Sequence, residues 1–137
     1  MTKPIPPVSK YMTSMPLSIE PNQSLAEAKK KMHEVHARHL PVRSAGKVVG
    51  LLSDRDIGLL ASFAQLDLNT MKVSDAMMLD PYCVHPDVPV DTVCAEMAEK
   101  RYGSALVVQE NDRLVGIFTY TDALRALSEV FGTRLKK

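Results

Sequence analysis

The stretch Gly50-Leu51-Leu52-Ser53-Asp54-Arg55-Asp56 returns later in the chain as Gly116-Ile117-Phe118-Thr119-Tyr120-Thr121-Asp122. Each copy reads glycine, two apolar residues, a hydroxyl residue, two variable residues and aspartate. Each follows a β-rich run, Lys47-Val48-Val49 or Arg113-Leu114-Val115, and precedes a run of helical character. A strand therefore ends and a helix starts at Ser53, and again at Thr119. Two readings stand side by side. In one, the hydroxyl caps the helix and the acid three residues on completes a capping box. In the other, the helix N-terminus offers unpaired N–H groups and the positive end of its dipole to an anion such as phosphate. The aspartate would repel phosphate but can accept bonds from two sugar hydroxyls.

The rest of the chain repeats around this stretch. Residues 1–7 are proline-rich and read as an extended lead-in. Val8 to Thr13 reads as a short helical turn, and Pro16 forces Leu17-Ser18-Ile19 to be extended. Ser24 caps a helix whose apolar positions are Leu25, Ala28, Met32 and Val35, ending near Ala37. His39 to Arg43 and Lys47 to Leu52 form a hairpin around Ser44-Ala45-Gly46. A second helix runs from Asp54 to about Phe63, with Ile57, Leu60, Ala61 and Ala64 inward. After a linker the order restarts: Val73 answers Val8 at an offset of 65, as Met97 answers Met32 and Val107 answers Val42. One extra residue in the turn Glu110-Asn111-Asp112 shifts the offset to 66, so Gly116 answers Gly50 and Asp122 answers Asp56. A hairpin turn is where an insertion is tolerated. The predicted organisation is α+β: two β-α-β-β-α copies at 8–64 and 73–131, a linker at 65–72, and tails at 1–7 and 132–137, the basic C-terminal one frayed. At roughly 60 residues each, one copy is marginally stable alone, so two are expected to pack together.

Composition narrows the function classes. Apolar residues make up 45% and charged residues 24%, enough for a buried core. A net charge of +1, few aromatics and no Trp argue against a nucleic-acid partner. No apolar run approaches the roughly 18 residues of a membrane span. The start, Met1 to Pro7, has no hydrophobic signal region, which points to the cytoplasm. Cys83 and Cys94 form no CxxC pair and read as small apolar fillers, and the eight methionines as core filler. His33, His36 and His39 are spaced three apart, but His39 falls where a strand starts and no further ligands complete a shell, so no metal is expected. No histidine–carboxylate pair can be placed beside Thr13, Ser14 or Ser53, so no catalysis is expected either.

Taken together, Val8 to Thr13, His39-Leu40-Pro41-Val42 and Gly50 to Asp56, answered by Val73 to Met77, Ser104 to Val108 and Gly116 to Asp122, resemble a tandem pair of cystathionine β-synthase (CBS) domains, the Bateman module. The resemblance covers about residues 8–131. It implies two copies related by a pseudo-twofold axis, with two clefts between them that bind adenosine compounds such as AMP, ADP, ATP or S-adenosylmethionine. It implies a stand-alone, non-catalytic sensor that requires no cofactor and forms a homodimer. Each cleft would borrow from both copies. The first would use Arg38, His39, Ser53, Arg55 and Asp56, with Asp80, Pro81, Tyr82 and Gly103. The second would use Ser104, Thr119, Thr121 and Asp122, with Thr13, Ser14, Pro16 and Leu17. Asp56 and Asp122 would hold ribose, Ser53 and Thr119 phosphate, and Leu51, Ile117 and Pro16 would sandwich the purine. The first cleft has two cations, Arg55 and Arg38, where the second has Thr121 and Gly103. That difference favours phosphorylated ligands at the first; a sulfonium ligand fits the second better. A scaffold with both clefts empty is the remaining alternative.

Overall fold

The computed structural model describes residues 4–63 and 66–135, with side chains to residue 132. Ala64 and the extreme ends of both expected tails lie outside the described residues. Among the described residues six strands and four α-helices follow in the order β1 (Thr13–Ser14), α1 (Leu25–Val35), β2 (His39–Ser44), β3 (Lys47–Ser53), α2 (Asp54–Ala61), β4 (Cys83–Val84), α3 (Val90–Lys100), β5 (Ser104–Gln109), β6 (Arg113–Thr119) and α4 (Tyr120–Leu135). The fold is α+β, as the alternating patterns predict. Among the described residues no helix is long and apolar enough to cross a membrane.

The chain divides into two compact units. One holds residues 16–81 and 111–113. Its α1 starts where Ser24 accepts a hydrogen bond from the Glu27 N–H at 3.1 Å, and buries Leu25, Ala28 and Met32 on one face. The helix stops at Val35 and not Ala37, because His36 turns left-handed at φ 54° and closes it. β2 and β3 pair antiparallel with His39 opposite Ser53 and Val42 opposite Gly50. Their turn puts Ala45 and Gly46 at φ 53° and 80°, the doubly left-handed geometry that suits a two-residue hairpin. α2 ends at Ala61, two residues short of the predicted Phe63. Leu40, Val42, Leu52 and Ile57 complete the core with Ile19.

The second unit holds residues up to 15, 82–110 and from 114 onward. Here β4 runs parallel to β5, with Cys83 opposite Leu106, and β1 runs antiparallel to β6, with Thr13 opposite Ile117. Val84, Val93, Met97, Val107 and Phe118 form its core. α4 continues through residues 132–135, a stretch whose basic composition reads as a tail.

The segment that opens each sequence copy packs into the unit built from the other copy's hairpin. Val8 is fully buried beside Val93 and Phe118, and its N–H donates to the Val88 carbonyl at 2.8 Å. Val73 is fully buried beside Leu25 and Ile57, and its N–H donates to the Gln23 carbonyl at 2.8 Å. This exchange explains the glycines of the repeated stretch. A Cβ on Gly50 would come within 2.8 Å of Met77 Sδ and 3.0 Å of the Met78 carbonyl. One on Gly116 would collide with Met12 Sδ.

Candidate functional site

Each repeated stretch delivers its hydroxyl and its acid to the first turn of a helix, and each arrangement lies within one unit. In the first unit Ser53 ends β3, and its Oγ accepts from the Asp56 N–H at 3.0 Å. The Asp54 N–H donates to the Arg38 carbonyl at 2.8 Å, which holds Arg38 beside the same helix start. His39 enters through its register opposite Ser53. Met78 and Leu51 exchange two backbone hydrogen bonds, at 3.0 and 2.8 Å, and bring the segment leading to Asp80 and Pro81 alongside. Asp80 takes a left-handed φ of 53° before the proline, as Met15 does at φ 49° before Pro16. Arg38, Arg55 and Asp80 are exposed, while His39, Ser53, Asp56 and Pro81 are half-buried. Among the described residues the Asp56 carboxylate accepts no hydrogen bond, so Ser53 forms only half of the expected capping box. A cavity of about 340 Å³ opens against Asp56, walled by Leu59, Leu60, Phe63, Asp75, Ala76 and Met78.

Burial holds the His39 imidazole below its ordinary pKa of 6.5; the Asp56 carboxylate pulls it up and the Arg38 cation pushes it down, and burial dominates. Below pH 6.5 the unfolded chain takes up a proton that the folded His39 refuses. The stability this group contributes is therefore complete above pH 6.5 and is lost as pH falls through the folded value. The melting temperature is expected to fall between about pH 7.5 and about pH 5.5, and His39→Asn is expected to flatten that slope. An unchanged slope in the variant would remove His39 from the account.

In the second unit the matching acid is treated differently. Asp122 is 2% exposed. Its Oδ2 accepts from the Thr119 N–H at 3.0 Å and from Thr119 Oγ1 at 3.2 Å. Its Oδ1 accepts from Thr13 Oγ1 at 3.2 Å and from an Arg125 guanidinium nitrogen at 3.2 Å. The full capping box forms here, and β1 is tied to α4 through it. The sequence comparison of Arg55 with Thr121 and Arg38 with Gly103 is thus incomplete as a count of cations: Arg125 supplies one to the second arrangement. An acid and an arginine three apart on a helix was the available signal.

Ser104 opens β5, the neighbour of β6. Its buried Oγ has no hydrogen-bond partner among the described residues. Ser14 pairs opposite Gly116, and Ile117, at 6% exposure, is part of the sheet interior, as is Leu51 at 7%. Thr121 is exposed on the first turn of α4. Of the residues expected at the second cleft, Thr13, Ser14, Ser104, Thr119, Thr121 and Asp122 share this unit; Pro16 and Leu17 belong to the other. Of those expected at the first, Tyr82 and Gly103 fall in the second unit and the rest in the first.

Tyr82 stacks on Tyr102 with ring centroids 5.1 Å apart. Burial, with Glu96 and Tyr102 nearby, raises its hydroxyl pKa. It lines an open cavity of about 560 Å³ with Asp91, Thr92, Ala95, Glu96 and Glu99. Three carboxylates there repel phosphate. His33 and His36 are exposed, and among the described residues no three metal-ligating side chains gather.

The sequence model of the CBS domain matches residues 8–57 and 73–129. The CBS domain-containing protein YhcV of Bacillus subtilis is 30% identical over 115 residues, covering 84% of this chain and 81% of YhcV. The structure of AcuB from Vibrio cholerae superposes with a TM-score of 0.86 at 25% identity, covering 98% of each chain. The CBS domain pair of protein MJ0100, in complex with 5′-methylthioadenosine and S-adenosyl-L-methionine, superposes with a TM-score of 0.82 at 28% identity, covering 96% of this chain and 99% of that one. Other curated relatives are longer: the chain spans 37% of MJ1232 and 24% of L-aspartate semialdehyde sulfurtransferase, both of Methanocaldococcus jannaschii.

Proposed function

The chain belongs to the CBS-domain family and carries two copies of the domain, and from that premise we propose that it is a non-catalytic module that binds adenine nucleotides at the helix starts marked by Asp56 and Asp122. The observation that carries this reading is the Asp56 carboxylate. It sits at the first turn of α2 with no hydrogen bond among the described residues, against a cavity that Asp75 also lines; Arg38 and Arg55 stand at the same helix start but outside the lining of that cavity, where a phosphate would have to lie. A ribose diol can donate to such a carboxylate, and the cations suit a phosphate. The cavity size falls in the range of small-ligand sites. The adenosine compounds held by MJ0100 support the ligand class. Isothermal calorimetry with AMP, ATP and S-adenosylmethionine tests it. Heat from AMP or ATP supports the reading. Heat from S-adenosylmethionine alone would favour the sulfonium ligand, and no heat from any of the three leaves a scaffold.

The partner that fits is a second copy of the chain. Along α4, Tyr120, Leu124, Leu127 and Phe131 are 55%, 65%, 51% and 50% exposed. Their spacing of four, three and four residues puts them on one face, the pattern by which helices pack on one another. An apolar stripe of this kind is unfavourable in water unless covered. Light scattering is expected to give the mass of a dimer, and Leu124→Glu, which places a charge in the stripe, the mass of one chain. A dimer unchanged by Leu124→Glu would place the interface elsewhere. The cytoplasm remains the proposed location.

A further inference from the structure

Asp56 and Asp122 occupy the same place in the repeat, yet among the described residues the carboxylate of one accepts no hydrogen bond and that of the other is saturated. The cause lies outside the repeated stretch. At the 65-residue offset Thr13 is answered by Met78, and at the 66-residue offset Arg125 is answered by Leu59. Thr13 and Arg125 both donate to Asp122 Oδ1. Met78 and Leu59 cannot donate, and both wall the cavity against Asp56. The same two positions therefore leave space at one acid and fill it at the other. A carboxylate has about four lone-pair sites. With Thr119 on Oδ2 and Thr13 and Arg125 on Oδ1, those of Asp122 are taken. A ribose hydroxyl has to displace one of these donors. Arg125 is the one with somewhere to go: its side chain is 68% exposed, against 3% for Asp122. At the 65-residue offset Ser104 answers His39, and its buried hydroxyl, on the strand next to β6, has no hydrogen-bond partner among the described residues.

We propose that Arg125, assisted by Thr13, is a specificity-determining residue that keeps the Asp122 site closed on itself, so that Asp56 takes the first adenosine ligand and Asp122 accepts one only when Arg125 swings out. This rests on the nucleotide reading above. The test is calorimetric titration with adenosine, which has a ribose but no phosphate to recruit Arg125. In an Asp56→Ala background, Arg125→Leu is expected to tighten adenosine binding about fivefold, the range set by one partly exposed ion pair. Adding Thr13→Val, which clears Oδ1, is expected to tighten it further. Arg125→Lys keeps a cation in reach and is expected to change little. Arg125→Leu with Asp56 intact serves as the folding control and is expected to keep the first-site affinity for AMP. Equal or weaker adenosine binding in Asp56→Ala/Arg125→Leu than in Asp56→Ala, while the unmodified chain binds AMP, overturns the role of Arg125 alone. No binding of AMP or adenosine by the unmodified chain overturns both proposals.

Discussion

Asp56→Ala is expected to weaken AMP binding about 10- to 100-fold while leaving the melting temperature of the ligand-free chain nearly unchanged. The binding loss follows from the hydroxyl–carboxylate bonds the ribose would forfeit, about 1.5–3 kcal/mol for a bond to a charged group. The unchanged stability follows from what Asp56 does in the folded chain. Its carboxylate accepts no hydrogen bond among the described residues, and its backbone N–H keeps the Ser53 cap whatever the side chain. A further consequence concerns the phosphate. Arg38 and Arg55 stand near Asp56, so in the variant a phosphorylated ligand should lose less than adenosine itself. Calorimetry with AMP and adenosine, beside a thermal melt, checks all three statements. A variant that melts far lower, or that binds AMP as well as the parent does, contradicts the assignment of Asp56 to the ligand.

The hairpins, the caps and the offset between the copies were legible because each has a local signal. Ser24, Ser53 and Thr119 sit one residue before helical periodicity begins, whereas the register of Val42 against Gly50 is set by a bulge between Val42 and Arg43 that has no such signal. The exchange of the opening segments was not legible. A two-residue strand and a three-residue turn carry no periodicity, and Val8 and Val73 look alike whichever core they enter. The glycines of the repeated stretch gave an indirect clue, since both are needed for the close approach of Met12 or Met77. The difference between the two acids was hidden for another reason. It is set by Thr13, Leu59, Met78 and Arg125, of which only Thr13, at the end of its segment, belongs to the pattern that makes the copies recognisable. Aligning the copies at their offsets and asking which positions change from donor to apolar would have found all four.

Asp122→Ala should have the opposite profile to Asp56→Ala: a large loss of stability. The deleted carboxylate is 2% exposed and serves three groups besides Arg125. Losing the reciprocal cap at Thr119 costs about 0.5–2 kcal/mol. Leaving the half-buried Thr119 donors short of an acceptor adds about 1–3 kcal/mol, while the exposed Thr13 hydroxyl can turn to water. The sum, about 1.5–5 kcal/mol, corresponds to a melting temperature lower by on the order of 10 °C. Asp122→Asn separates the contributions, because the amide oxygen can still accept from the Thr119 N–H but brings no charge for Arg125. It is expected to melt between the parent and the alanine variant. The exposed Arg125 side chain contributes little to this loss, since an ion pair in contact with water is worth about 0–1 kcal/mol. Arg125→Leu should therefore melt close to the parent. Equal destabilisation by Asp56→Ala and Asp122→Ala would mean that the two acids do the same work. The division between a carboxylate kept for a ligand and one spent on tying β1 to α4 would then have to be abandoned.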